Sequence, residues 1–395
     1  MYIFLITFLL LYGGIHFYAF LKVKAAFSFT PEAGIYIALF MLIMVFAPFI
    51  ALVTERPGLG FFSRIMSYIG YMWMGILFLF FSGSIAVDIY HTLIYSAGLI
   101  LRKDLISLIP SARHSFYIPL VMSISIGIYG YFEALNIRTE KVEIKTSKIP
   151  EEISRLRIVQ ISDVHLGMIV REQRLKRIID RVKEAKPDIL VSTGDLVDGQ
   201  IYDIEGFAEL FKEIKPMYGK FAVTGNHEFY AGLGKAMDFI ERAGFKLLRG
   251  RGVTVAGMIN IAGVDDPAGA GMISIAGVDD PSEERYGIYR EVPEGKLLSD
   301  MPPDKFTILL KHRPIVDKNA LGLFDLQLSG HTHKGQIFPF SLITWLYYMH
   351  TIQAGYLRLV DDSYLYVSRG AGTWGPPIRF LSPPEVTVIE LVNEG

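Results

Sequence analysis

The chain has 395 residues and a formal net charge of -1, so it is longer than one ordinary domain and lacks the basic excess of a nucleic-acid binder. It has no cysteine, which excludes disulfides, thiolate metal cages and thiol catalysis but leaves the compartment open.

Charge is unevenly placed: residues 1–137 hold twelve charged side chains and the other 258 residues hold 67. A membrane-type region of about four spans, residues 1–137, therefore precedes a soluble one. Residues 2–20 are an uncharged run long enough to cross a bilayer, without the basic start or small-residue cleavage site of a signal peptide. A second span covers 33–54 and ends at Glu55, Arg56 and Pro57. The third covers 65–87, and its apolar character continues past Asp88 to Leu101, which predicts one helix with an extension on or beyond the membrane. Residues 115–132, with Pro119 near their start, make the fourth. Asp88 and His91, one helical turn apart, read as the polar boundary at the end of the third span. Lys22, Lys24, Arg102, Lys103 and Arg113 then lie on one side of the membrane, and Arg56 and Arg64 on the other. The positive-inside bias puts the soluble region outside the cytoplasm. The mixed-charge stretch 138–155 reads as a linker.

From Leu156 the pattern alternates strand and helix, and residues 156–395 read as one α/β domain. Strands are expected at 156–161, 189–192, 220–223, 307–310 and 326–329, and helices at 172–186, 207–214 and 235–243. Residues 257–267 recur at 271–281 with ten of eleven positions identical. Two copies are too few for a solenoid, so this reads as a local duplication of one strand and its turn. Asp265, Asp266, Asp279 and Asp280 lack the spacing of a calcium loop and are expected in solvated turns.

Short polar motifs follow the apolar runs: Asp163-Val164-His165, Gly194-Asp195, Gly225-Asn226-His227-Glu228, Lys311-His312 and Gly330-His331-Thr332-His333. Open α/β sheets place ligands at such strand ends. If the strand at 326–329 continues, His331 and His333 point the same way. Asp163, His165, Asp195, Asn226, His312, His331 and His333 fit a two-metal site. Imidazole and carboxylate ligands suit Mn, Fe, Zn or Co, with Mn favoured. A carboxylate such as Asp195 can bridge two ions, which together activate water for in-line attack at phosphorus.

In this order the motifs resemble the calcineurin-like metallophosphoesterases, whose signature runs Asp-X-His, Gly-Asp, Gly-Asn-His-Glu, His, Gly-His-X-His. The resemblance covers about residues 155–393 and implies a four-layer α/β/β/α sandwich. It also implies that Asp163, His165 and His333 hold one ion, that Asn226, His312 and His331 hold the second, and that Asp195 is shared. Catalysis would then rest on Asp195 and on His227, which faces the leaving group as general acid or charge stabiliser. The tail, with Ser368-Arg369-Gly370-Ala371-Gly372, Pro376-Pro377-Ile378-Arg379-Phe380 and Pro383-Pro384-Glu385-Val386, resembles bacterial membrane-associated phosphodiesterases similar to UDP-2,3-diacylglucosamine hydrolases. Lys334 departs from that subgroup, which more often has glycine there.

The expected function is a membrane-anchored phosphoesterase acting on a phosphodiester, pyrophosphate or phosphomonoester, with the bilayer and a lipid-linked phosphate as partners and no nucleic acid. Residues 337–349 carry no charge, are too short to span a membrane and are rich in Trp, Tyr and Phe, which suits the headgroup interface. A protein or small-molecule phosphatase is the alternative within enzymes. A non-catalytic scaffold is disfavoured by the complete ligand set, and a transporter by the lack of broken helices.

Overall fold

Apolar residues on every face of the first 133 positions leave no amphipathic stripe to bury, and the chain answers with long helices: α1 (Tyr2–Ala26), α2 (Pro31–Thr54), α3 (Gly60–Leu101) and α4 (Ala112–Glu133). The computed structural model describes residues 2–54, 60–199, 206–266 and 292–394. It divides into two units, Met1–Phe132 with Gly375–Ile378, and Glu133–Trp374 with Arg379–Gly395. All four helices are long and apolar enough to cross a membrane. α3 is unbroken over 42 residues, about 63 Å at 1.5 Å per residue, so it outreaches a hydrocarbon core of about 30 Å. Small residues let the helices approach: a Cβ on Gly70 would lie 3.1 Å from that of Ala47, and one on Gly83 3.3 Å from Pro119. Asp88 is paired with Lys22 of α1 and accepts from the Tyr18 hydroxyl at 2.6 Å. His91 instead lies 3.3 Å from the Ser115 hydroxyl.

The second unit holds two six-stranded sheets. The first has the order β1-β12-β2-β3-β4-β5, and its strands are β1 (Arg138–Thr146), β2 (Arg155–Ile161), β3 (Ile189–Ser192), β4 (Lys220–Ala222), β5 (Lys246–Leu247) and β12 (Glu385–Asn393). The second runs β10-β11-β9-β8-β7-β6, with β6 (Arg251–Val255), β7 (Ile259–Gly263), β8 (Phe306–Leu310), β9 (Leu326–Ser329), β10 (Gly355–Arg358) and β11 (Tyr364–Val367). Ile158, Ile189, Val191 and Phe221 of the first sheet meet Ile259, Ile261, Ile308, Leu310 and Leu328 of the second in one buried core. Side chains alternate across a strand, so Ala262 and Leu309 face away and join Leu298, Ala320 and Phe324 in a separate cluster. On the first sheet, α5 (Glu172–Ala185) buries Leu175, Ile178, Ile179 and Val182 at helical spacing and packs on β1 and β12. The result is the four-layer sandwich, in which most strands run parallel and end at the same edges.

Two expectations need correction. Residues 138–146, read above as linker, are the strand β1, paired in parallel with β12 from Arg138↔Glu385 to Thr146↔Asn393. Charged residues alternate with Val142 and Ile144 there, and Ile144 is buried between the sheets. The aspartates after β7 are not in a solvated turn: Asp265 and Asp266 are buried and paired with Arg249 at 2.6 Å and Arg313 at 2.9 Å. Burial of the carboxylates is sustained by those guanidinium partners. The second repeat copy, with Asp279 and Asp280, lies outside the described residues.

Candidate metal centre

Each expected ligand sits just past the C-terminal end of a strand. Asp163 and His165 follow β2, Asp195 follows β3, Asn226 and His227 open α7 (Asn226–Tyr230) after β4, His312 follows β8, and His331 and His333 follow β9. The backbone must turn sharply to bring them together. Asp163, His165, Asp195, His331 and His333 have φ of 51°, 53°, 51°, 70° and 47°, left-handed conformations that cost of order 1–3 kcal/mol each outside glycine. Left-handed residues occur elsewhere too, as at Lys186, Asp361 and Asp362, but here five ligand residues share one site, and the packed sheets beneath sustain the strain. Glycines allow the close approach: a Cβ on Gly330 would lie 2.2 Å from an Asp163 carboxylate oxygen, and one on Gly225 2.2 Å from that of Asp195.

His331 and His333 do not point the same way, as continuation of the strand would require. The chain leaves β9 at Ser329, and the left-handed turn sends the two rings to different partners. His333 Nε2 lies 3.0 Å from His165 Nε2 and 3.5 Å from Asp163 Oδ1. His331 Nδ1 lies 3.1 Å from His312 Nε2, which is 3.2 Å from both Asp195 Oδ2 and Asn226 Oδ1. The ligand atoms of Asp163, His165 and His333 fall within 4.8 Å of one another, as do those of Asp195, His312 and His331. All seven expected ligands are therefore brought into two adjoining clusters.

The arrangement fits cations. Nitrogen lone pairs and carboxylate oxygens converge with few protons between them, and among the described residues the buried Nδ1 of His165 has no hydrogen-bond partner. Burial holds His165 down to about 4 and His331 to about 3, and it holds His333 well below the usual imidazole range, reinforced by Arg379. These three rings are neutral, the form that ligates. Burial would raise the Asp195 carboxyl, but His312 and His227 beside it overcome this and keep it ionised well below the usual range. Burial would likewise lower His312, yet the Asp195 carboxylate lifts it to about 10. That proton marks the negative potential a divalent ion would meet. The His312 Nδ1 lies 2.8 Å from the Thr193 carbonyl and donates to it, which leaves Nε2 facing inward.

A family model for the calcineurin-like phosphoesterases matches residues 156–335. An uncharacterized metallophosphoesterase of Aquifex aeolicus is 38% identical over 276 residues, 70% of this chain and 100% of its own length. The chain belongs to the calcineurin-like phosphoesterase family. An uncharacterized metallophosphoesterase of Campylobacter jejuni is 33% identical, covering 68% of each chain. A Danio rerio transmembrane protein with a metallophosphoesterase domain is 31% identical, covering 69% of this chain and 61% of its own. The chain is thus a metal-dependent phosphoric ester hydrolase of a family that works with two metals.

In this phosphoesterase several supporting residues went unread in the sequence. Asp198 accepts from His227 Nδ1 at 2.7 Å; its place three residues after Asp195 was the available signal. Glu228 closes the Gly-Asn-His-Glu motif. Its carboxylate accepts from the backbone N–H groups of Asp195, Leu196, Val197 and Gly225 at 2.6–3.2 Å, and so ties two ligand turns together. Gln336 exchanges two bonds of 2.9 Å with the Trp374 backbone, and the Trp374 ring lies 6.1 Å from that of His227. Lys334 has φ 50°, a left-handed conformation that favours glycine.

Proposed function

We propose that this phosphoesterase is anchored in a bilayer and hydrolyses a phosphodiester, pyrophosphate or phosphomonoester carried on a lipid. The observation that carries the reading is the helix Phe340–Tyr347, in which no residue is buried. Leu342, Ile343, Trp345 and Leu346 are 55–60% exposed, an apolar surface that water disfavours and that a headgroup–acyl boundary accepts. The helix is fixed to the candidate metal centre. A Cβ on Gly335 would lie 2.4 Å from the Ser341 Cα, and the hydroxyl of Thr332, between the two histidines, donates to the Gln353 carbonyl at 2.5 Å. Four helices able to cross a membrane, and relatives from Danio rerio and Bos taurus named as transmembrane proteins, support a membrane protein. Only residues 134–137 separate α4 from β1.

Asp163, His165 and His333 would hold one divalent ion and Asn226, His312 and His331 the other, with Asp195 between them and Mn favoured over Fe, Zn or Co. Bound there, the ions supply Lewis acidity at the phosphate and make water a nucleophile at neutral pH. His227 supplies the proton to the leaving-group oxygen. Burial would lower its pKa, but Asp195 and Asp198 raise it, to about 9 without ions, and Asp198 on Nδ1 keeps favouring the protonated ring.

Replacing Trp345 and Leu346 with Ser tests the lipid reading. Losing about 1.4 kcal/mol of apolar insertion is tenfold in binding, so turnover at low concentrations of a long-chain lipid phosphate should fall at least about tenfold. A small soluble ester should be hydrolysed as before. Equal loss on both, or none on either, overturns the reading. Four spans and the positive-inside bias put the catalytic domain outside the cytoplasm. A Ser154→Cys variant should then react with an impermeant maleimide in intact cells, and protection until lysis would refute that side.

A further inference from the structure

Two large aromatic side chains stand uncovered beside His227. Tyr230, one helical turn further along α7, is 56% exposed, and its ring centroid lies 5.3 Å from that of His227 at an interplanar angle of 69°. Trp374 is 54% exposed, and its ring lies 6.1 Å from the same imidazole at 77°. Among the described residues neither the Tyr230 hydroxyl nor the Trp374 indole N–H has a hydrogen-bond partner. Both rings therefore border the imidazole with their polar edges unused.

Their backbones are fixed by the turns of the candidate metal centre. The N–H groups of Ala371 and Gly372 donate to the Ser162 and Asp163 carbonyls at 2.9 Å, and the Thr373 hydroxyl accepts from Arg174 at 3.0 Å. Gln336, three residues after His333, grips both the N–H and the carbonyl of Trp374. Tyr230 closes the short helix that Asn226 opens. Rings of this size ordinarily stabilise a fold by burial; held out on an ordered backbone, they meet a ligand at little entropic cost. Aromatic faces favour other rings, whose faces and edges complement their own, over flexible chains. Because Asp198 occupies Nδ1 of His227, the group that reaches Nε2 between these rings is the one that departs.

Resting on the assignment of His227 as proton donor, we propose that Tyr230 and Trp374 are specificity-determining residues that receive the leaving group. They favour one that carries a flat ring, aromatic, heteroaromatic or sugar, next to the bond that breaks, over one that continues as an open chain. The contact is with the departing half of the substrate, so it persists as the bond lengthens and acts on kcat/KM.

The test compares kcat/KM of detergent-solubilised full-length protein, supplied with Mn²⁺, for two soluble probes whose leaving alcohols have similar acidity: methyl phenyl phosphate and methyl hexafluoroisopropyl phosphate, with the corresponding monoesters run beside them. Similar acidity makes a similar demand on His227, so the phenyl-to-alkyl ratio reads the rings. Wild type should favour the phenyl probe about tenfold. Tyr230→Ala and Trp374→Ala should each cut that ratio about two- to tenfold, the range of one aromatic contact. Tyr230→Phe and Trp374→Phe, which keep a ring, should retain most of it. A variant that only loosens the site lowers both probes together, and a Trp374 that only touches lipid leaves the ratio of two soluble probes where it was; either result overturns the proposal. Equal use of the two probes by wild type overturns it even if a variant does not fold, and leaves the phosphoesterase reading standing. Hydrolysis of neither probe in either form would sink both.

Discussion

The Asp198 carboxylate accepts the Nδ1–H of His227 across 2.7 Å, while the His227 backbone N–H donates to Asp195 Oδ1 across 2.8 Å. One carboxylate thus orients the ring and another, in the metal cluster, orients its backbone. The ring has Nε2 left to offer a leaving group.

Asp198→Asn should therefore lower turnover by about 10²-fold, the scale of a general acid, with two metals still bound. The sign of the pH effect follows from the raised pKa of His227. The proton donor is present below that pKa, and removing the Asp198 charge that helps raise it brings the alkaline limb of the rate profile to lower pH. The loss should shrink for substrates with good leaving groups. Unchanged turnover, or loss of a metal, would reassign the pair.

Glu228 is fully buried and accepts four backbone N–H groups from the turns that present Asp195 and Asn226. In Glu228→Gln one oxygen becomes a donor aimed at other donors. The cost should be about 2–3 kcal/mol of stability, visible as a lower melting temperature, with reduced Mn²⁺ occupancy because both turns loosen. A variant as stable as wild type would show that the turns hold themselves.

Lys220 donates to the Phe211 and Ala243 carbonyls at 2.8 and 2.6 Å and lies over the Phe245 ring. Burial, with the nearby Lys212 charge, lowers its pKa from 10.5 to about 8. Between those values the unfolded chain binds the proton and the folded chain does not, so this group makes folding more favourable as pH rises from 8 to 10.5. Relative to Lys220→Met, wild type should gain about 1 kcal/mol between pH 7.5 and 10 once solvent screening at a half-exposed site is allowed for. Denaturant unfolding at the two pH values measures it, and a constant difference would contradict the assignment.

The parts visible in the sequence were those with a local period or a local motif. The helix 172–185 announced itself by Leu175, Ile178, Ile179 and Val182, and the ligands by their place after short apolar runs. What stayed hidden depends on partners far along the chain. β1 alternates charge with only Val142 and Ile144 as a signal, and it is a strand because β12 pairs with it about 245 residues later. Asp265 and Asp266 look like turn residues until Arg249 and Arg313 are brought to them. Arg379 looked like part of a tail motif; only the folded chain puts its guanidinium against His333. The exposure of the apolar run 340–347 also had to come from the fold, since composition alone does not say which apolar stretch is left uncovered.

The pairing of β1 with β12 also orders events during synthesis. β12 lies between β1 and β2, so the place beside the edge strand of the first sheet is filled by a segment made long after β1, β2 and the strands that follow them in sequence. Until then β1, the first strand after the membrane helices, presents an open edge of nine residues, and the domain must wait for a contact of very high sequence separation. Loss of residues 385–393 would not trim the sheet at its border; it would cut β1 off from the rest. A nascent chain stalled before that point is a half-built sandwich with an unpaired edge, open to quality-control proteases.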